Sequence, residues 1–77
     1  MYIISLKLKT IRKERGYSTR ELEKRSDVSR MRIEALEKET NVNIKTSTLC
    51  KLAEALNVHP NELITYTYVE EDINETP

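Results

Sequence analysis

The sequence has few of the residues on which disulfide-rich, metal-binding and catalytic proteins depend. It holds no Trp, no Phe, one Cys and one His among its 77 residues. One Cys cannot form an internal disulfide, and no group of Cys and His has the spacing of a zinc site. Without a Gly-rich loop, and with room for only a small core, the chain offers little space for a concave active site. We therefore expect a single domain that is not an enzyme and needs no metal or cofactor.

Long apolar runs are also absent. No run approaches the ~20 residues that a membrane span requires. The start of the chain, MYII, is too short for a signal peptide and lacks its basic flank. These features predict a cytoplasmic protein that does not enter a membrane.

Residues that break helices are scarce, since the chain has one Gly and two Pro. Apolar side chains recur at helical spacing through most of the sequence. Ile4, Leu8 and Ile11 are spaced at i, i+4 and i+7, which predicts a first helix. Gly16 is expected to follow the end of that helix.

Two short helices joined by a tight turn are predicted next. Ser18 with Glu21 three residues later forms a capping-box pattern that begins the second helix. Residues 27–29 break that helix, and Ser29 is a good N-cap for a third. Two helices separated by about three residues have the shape of a helix-turn-helix.

The second half of the chain predicts a loop and two further helices. Residues 41–45 are polar and rich in Asn, which indicates a loop. A fourth helix should begin near Thr46 or Ser47 and end at Asn57, and Pro60 should occupy the first position of a fifth. Residues 65–69 alternate with period two, as a strand does.

Together these patterns predict an all-α fold without a convincing sheet, a compact bundle of four to five short helices. We expect residues 1–65 to form the domain and residues 66–77 to form an acidic C-terminal tail, a short strand followed by a disordered end. Three tyrosines near the ends, Tyr2, Tyr66 and Tyr68, either pack together, form a dimer contact or lie in disordered ends.

Charge is unevenly distributed along a chain whose net charge is zero. All thirteen Lys and Arg precede residue 52, and with the seven acids found there residues 1–51 carry +6. Residues 52–77 hold the other six acids and carry −6. Such asymmetry suggests a basic binding surface followed by an acidic tail, although charged faces are about equally often only solvated.

The predicted third helix begins with two arginines, Arg30 and Arg32, although a helix N-terminus favours acids. Each costs a few tenths of a kcal/mol, up to ~1 kcal/mol. An unfavourable local choice suggests a function, because Arg at this place can contact a guanine edge in the major groove, or a phosphate of the backbone. The alternative is an ordinary surface Arg whose aliphatic stem packs on its neighbours.

Two segments carry a specific set of motifs, GYSTRELEKRSDVSRMRIEALEKE over residues 16–39 and TLCKLAEALNVHPNELI over residues 48–64. They combine Gly-aromatic-Ser, Glu-Leu, Val-Ser-Arg and Leu-Glu at fixed offsets with LxKLAxAL and NEL. This combination resembles the Cro/cI-repressor-like helix-turn-helix family, also called the XRE family. The resemblance covers roughly residues 5–65. It implies a lambda-repressor-like bundle of five helices that binds operator DNA, often as a two-fold dimer.

The resemblance also implies roles for individual residues, carried over position by position. Those facing base edges or the adjacent backbone are Arg30, Met31, Arg32 and Ala35. Those facing phosphates are Thr19, Arg20, Ser29, Lys38, Asn41, Asn43 and Lys45. The apolar residues implied to pack behind them are Val28, Ile33 and Leu36.

Three positions depart from the family pattern. Thr19 replaces a common Gln, so a phosphate contact there is weaker. Asp27 replaces the usual turn Gly, and Asp tolerates a left-handed backbone better than most residues. Glu23 stands where the family prefers Ala, so we expect it to lean into solvent or to find a partner, and Lys24 and Arg25 are near in sequence.

The sequence thus predicts sequence-specific DNA binding by a small transcriptional regulator, a repressor of bacterial or mobile-element origin. Its expected partners are operator half-sites of double-stranded DNA, a second copy of the chain at least on DNA, and a further protein reached through the C-terminal tail. The alternative is an antitoxin or protein-interaction module that keeps the fold without the operator. A gel shift at two salt concentrations separates these readings, because such a module would not bind the DNA even at low salt.

Overall fold

The computed structural model describes residues 1–70 and shows five helices together with a two-stranded antiparallel sheet. In chain order the elements are β1 (Tyr2–Leu6), α1 (Leu8–Glu14), α2 (Thr19–Ser26), α3 (Arg30–Lys38), α4 (Thr46–Leu56), α5 (Pro60–Leu63) and β2 (Ile64–Tyr68). The helical bundle is as expected, but the sheet was not. The prediction of a purely all-α fold is therefore wrong.

Three of the five helices, α2, α3 and α5, begin at a residue whose side chain caps the helix, whereas α1 and α4 have no side-chain cap. Ser18 Oγ accepts a hydrogen bond from the Glu21 backbone N–H at 3.0 Å. The predicted capping box is only half formed, because the Glu21 carboxylate accepts instead from Arg25 Nε at 2.8 Å. Pro60 occupies the first turn of α5, and His59 caps that helix by accepting from the Asn61 N–H at 3.1 Å.

Three residues with left-handed backbone reverse the chain after helices. Gly16 has a φ of 76° two residues after α1, Asp27 has a φ of 64° after α2, and Asn57 has a φ of 58° after α4. A Gly has no Cβ to clash in this conformation, and Asp and Asn tolerate it better than other residues. The expected ends of the first, second and fourth helices are confirmed.

The core lies where all five helices meet, and aliphatic side chains fill it. Burying each one contributes about 1.5–3 kcal/mol. Tyr17 is half-buried and packs against this core. The largest fully buried side chains are Leu8, Leu22, Ile33, Leu36, Leu52, Leu56 and Leu63.

The sheet joins the two ends of the described chain. Tyr2 pairs with Tyr68, Ile4 with Tyr66 and Leu6 with Ile64. Ile4 was expected in the first helix and lies in β1 instead. Ile4 and Leu8 are four residues apart, and this spacing fits a strand with a period of two as well as one turn of a helix. The spacing alone therefore could not distinguish a strand from a helix at Ile4.

The strand-like composition of residues 65–69 is confirmed, since β2 covers most of them. This strand spans the predicted boundary between residues 65 and 66. The expected disordered end falls on residues 71–77, which lie outside the described residues.

An ion pair between Arg12 of α1 and Glu37 of α3 is nearly enclosed by the fold. Arg12 Nε donates to Glu37 Oε2 at 2.7 Å, and Arg12 Nη2 donates to Glu37 Oε1 at 3.2 Å. Arg12 Nη1 donates to the Tyr17 carbonyl at 2.8 Å. The two side chains are 11% and 7% exposed. One guanidinium thus ties α1 to α3 and to the chain that leads into α2.

Removing one partner of this pair should be strongly destabilising. We expect Arg12→Met and Glu37→Met each to lower the free energy of unfolding by about 3–5 kcal/mol, because each leaves a buried charge unpaired. The double variant should recover most of that loss, since apolar side chains replace both charges. Denaturant unfolding followed by circular dichroism measures all three. Losses below about 1 kcal/mol in the single variants, as for exposed pairs, would contradict this.

Candidate nucleic-acid interface

The turn between α2 and α3 is held by a buried serine. Ser26 Oγ donates to the Leu22 carbonyl at 2.7 Å and accepts from the Val28 N–H at 3.2 Å. Val28 itself is buried, as the sequence implied. Residues 27–29 are therefore fixed by a left-handed Asp, a buried apolar anchor and two hydrogen bonds. The angle between the two helices follows from this geometry.

Two acceptors secure the N-terminus of α3. Ser29 Oγ accepts from the Arg32 N–H at 3.2 Å, which confirms the expected cap. Glu23 Oε2 accepts from the Arg30 N–H at 3.1 Å. Glu23 therefore finds a partner, which was one of the two expectations, but that partner is the N-terminus of α3 and not Lys24 or Arg25. It supplies from α2 the negative charge that the first turn of α3 lacks, and so offsets the dipole cost of the arginines.

The outward face of α3 carries part of the implied base-contacting set. Met31 is 78% exposed, so its apolar side chain is available for contact with a partner. Ala35 is exposed one turn further on. Arg30 is half-exposed and lies near Glu34, with Nε 3.9 Å from Oε2. A contact of that length between exposed side chains is weak, so Arg30 can change partners at little cost.

The loop after α3 leads to α4 and forms hydrogen bonds both to α3 and to β1. Arg32 Nη2 donates to the Asn43 carbonyl at 3.0 Å. On the other side, the Val42 N–H donates to the Ile4 carbonyl at 2.8 Å, and Asn41 Oδ1 accepts from the Ile4 N–H at 3.5 Å. The structure thus brings Arg32 together with the loop residues that the sequence singled out separately.

An open groove of about 350 Å³ lies between α1, α2 and α3. It brings together two of the implied phosphate-contacting residues, Thr19 and Lys38, and adds Lys9, which sequence reasoning missed. Neither lysine forms an ion pair with another side chain among residues 1–70. The sequence did show that Lys9 lies on the same side of α1 as Arg12, because the two are about one helical turn apart. The lining residues are Lys9, Arg12, Thr19, Glu34, Glu37 and Lys38.

The remaining implied phosphate contacts lie elsewhere on the surface. Arg20 is exposed in the first turn of α2, and Lys45 is exposed at the N-cap of α4. Ser29, as the cap of α3, lies beside the exposed first turn of that helix. These residues are accessible, but the groove does not gather them.

Part of the basic charge has structural partners instead. Arg15 Nε donates to the Leu56 carbonyl at 2.8 Å and so closes the C-terminus of α4. The Arg25 guanidinium lies 4.4 Å from the centre of the Tyr17 ring, a cation–π contact. The +6 of residues 1–51 is therefore not one continuous binding surface.

Two capped helices joined by a three-residue turn, the second with an exposed outer face, match the helix-turn-helix arrangement. A family model described as a helix-turn-helix domain matches residues 7–69. The chain belongs to this helix-turn-helix family. The family is associated with XRE-type regulators, so the resemblance seen in the sequence is confirmed at family level. No curated protein matches the chain.

Membership of the helix-turn-helix family indicates DNA binding by a regulator, and the family is typically non-enzymatic. Among residues 1–70, no helix is long and apolar enough to cross a membrane. Within the same residues, no group of three or more His, Cys, Asp and Glu could hold a metal ion.

The bond from Glu23 to the N-terminus of α3 can be tested by substitution. We expect Glu23→Ala to lower the free energy of unfolding by about 0.5–2 kcal/mol, as loss of a helix cap does. Glu23→Gln should lose less, because its amide oxygen can still accept the hydrogen bond. Glu54→Ala, at an exposed position of α4, is the matched control and should change stability little. Equal effects at positions 23 and 54 in urea unfolding would argue against the cap.

Proposed function

We propose that this helix-turn-helix protein is a sequence-specific transcriptional repressor that reads operator half-sites as a homodimer, with α3 in the major groove. The observation that carries the proposal is the state of the first turn of α3. Its backbone is fixed by Ser29 and Glu23, while Met31 beside the two arginines is 78% exposed. A rigid helix end that presents apolar and cationic side chains together suits a base-pair edge.

The outward residues of α3 match different parts of that edge. Arg30 and Arg32 can each donate two parallel hydrogen bonds to guanine O6 and N7. Met31 and Ala35 offer apolar contact to a thymine methyl group. Arg32 would give up its bond to the Asn43 carbonyl, or would stay with it and contact a phosphate beside the loop.

Phosphate contacts would fix the position of α3 without reading sequence. Lys9 and Lys38 flank the groove that holds Thr19, and Lys38 is also close to the end of α3. The N-terminus of α2 adds backbone N–H groups that favour an anion. The other residues proposed for phosphate contact are Arg20, Ser29, Asn41, Asn43 and Lys45.

The proposed action is docking, with no chemical step. Each neutralised phosphate releases counterions, which drives association and makes affinity depend on salt. One recognition helix reads only a few base pairs, so useful specificity needs two copies on half-sites about 34–36 Å apart. A dimer that covers its operator would repress by occupying the site.

Arginine substitutions in α3 test the reading of bases. A binding selection from a random DNA library gives the half-site, and fluorescence anisotropy then measures affinity. We expect Arg30→Ala and Arg32→Ala each to cost about 1–3 kcal/mol of binding free energy and to relax preference at one base position. Lys51→Ala, at an exposed site on α4, should leave affinity and preference unchanged. Unaltered preference in both arginine variants would remove these contacts from the proposal.

Lysine substitutions at the groove should behave differently. Lys9→Ala and Lys38→Ala are expected to weaken binding to all sequences alike, and to reduce the slope of log affinity against log salt by about one each. Anisotropy titrations at several salt concentrations measure that slope. If the folded wild-type protein binds no DNA at low salt, the regulator function itself is wrong.

A further inference from the structure

One edge of the small sheet is open. Met1 and Val69 exchange two backbone hydrogen bonds, at 3.2 and 2.7 Å. Bonded and non-bonded pairs alternate along an antiparallel ladder, so the pairs that include Tyr66 and Tyr68 are non-bonded. The backbone N–H and C=O groups of these two tyrosines therefore point away from β1. The backbone hydrogen bonds of residues 1–70 include no partner for them.

The opposite edge of the sheet, along β1, is covered at its middle. There the outward-pointing carbonyl and N–H of Ile4 bond to Val42 and Asn41 of the loop after α3. Val42 is itself buried. Within the described residues, the loop therefore blocks the middle of the β1 edge, whereas the β2 edge is open along Tyr66 and Tyr68.

The open edge lacks the usual protection. Natural edge strands carry charges, Pro or bulges that prevent pairing with other chains. Residues 1–6 and 64–69 contain no charged side chain and no Pro, although 34% of the whole chain is charged. The sequence ITYTYV has high strand propensity, so it is well suited to pairing.

An aromatic surface adjoins this edge. Tyr2, Ile4, Tyr66 and Tyr68 share the face of the sheet whose other end, Leu6 with Ile64, packs against the core. The three tyrosines are 69%, 63% and 61% exposed. The Tyr2 and Tyr68 rings meet edge to face with centroids 5.2 Å apart. Their face is thus ordered by contact within the chain, yet mostly uncovered.

We infer that the open edge of β2 pairs antiparallel with β2 of a second copy of this chain, making one four-stranded sheet across a two-fold axis. An antiparallel strand pairs with itself symmetrically, so each outward N–H meets a C=O of the other copy. No side-chain charge on either strand opposes the approach, and the tyrosine faces of the two copies become continuous. The need for two half-sites rests on the proposed function.

The resulting geometry suits two DNA-reading helices. Across the dimer, the order is loop, β1, β2, then β2, β1 and loop of the other copy. Five strand spacings of about 4.8 Å separate the two Val42 segments, which is about 24 Å. Each α3 attaches to its loop through the Arg32–Asn43 bond. Half-sites one DNA turn apart, about 34 Å, are therefore within reach of two helices attached to these loops.

Substitutions at Tyr66 test the interface. Tyr66→Pro removes an outward N–H without breaking the β1–β2 ladder, which places Pro where edge strands tolerate it. Tyr66→Ala is the matched control, since it removes the same ring but keeps the N–H. Tyr66→Lys is a second disruptive variant, because it puts like charges near one another in the dimer. Circular dichroism and thermal unfolding establish that each variant is folded.

Sedimentation equilibrium and DNA binding then supply independent readouts. We expect the wild type to dimerise and to bind paired half-sites cooperatively. Tyr66→Pro and Tyr66→Lys should raise the dimer dissociation constant at least about tenfold, and clearly more than Tyr66→Ala does. Affinity for a single half-site should stay unchanged in all three, because Tyr66 takes no part in the proposed DNA contacts.

The possible failures are distinguishable. A wild type that stays monomeric up to millimolar concentration and binds paired half-sites without cooperativity would overturn the inference, while DNA binding would stand. A dimer that both disruptive variants leave intact would also overturn it. If dimerisation depends on Tyr66 as expected but no DNA is bound, the interface is supported and the regulator function is not.

Discussion

The Arg12–Glu37 pair is the contact on which the placement of α3 depends. Few side chains of α3 enter the core, chiefly Ile33 and Leu36, and two neighbouring aliphatic residues set the rotation of a helix only loosely. Glu37 adds a directional contact, since the guanidinium of Arg12 donates two hydrogen bonds to its carboxylate in one plane. Because the same Arg12 also donates to the Tyr17 carbonyl, the chain entering α2 is positioned by the same group. Both helices of the motif, α2 and α3, are therefore positioned by contacts with α1.

A second directional contact completes this arrangement, from Glu23 to the N-terminus of α3. Glu23 of α2 offsets the dipole of α3. The angle between these two helices is therefore fixed by contacts within the protein and does not require DNA. Within the part of the chain that the structure describes, some basic residues have partners within the fold, and others do not. Arg12, Arg15 and Arg25 stabilise the fold, whereas Lys9 and Lys38 face an open groove. Net charge could not show this division, because it depends on which side chains meet in three dimensions.

The sequence predicted what is local and missed what is distant. Ser29, Asn57 and Pro60 act through neighbours a few residues away, so their roles at helix ends could be read directly. The Arg12–Glu37 pair joins positions 25 apart, and no periodicity reveals such a partner. The sheet was missed for the same reason, since Tyr2 has no strand beside it until the chain returns at Tyr68. The proposed base contacts follow from family resemblance, and their test lies with DNA.

The joining of the two ends of the described chain has a consequence for how the molecule forms. Met1 and Val69, which bond to each other, are 68 positions apart. Helices with mostly local contacts assemble quickly, whereas pairing of distant strands must wait for the intervening chain. During synthesis, which proceeds N-terminus first, β1 emerges long before β2 exists. Until β2 has been synthesised, the uncharged strand β1 has no partner strand, while the helices are already forming. The sheet can close only after β2 has left the ribosome.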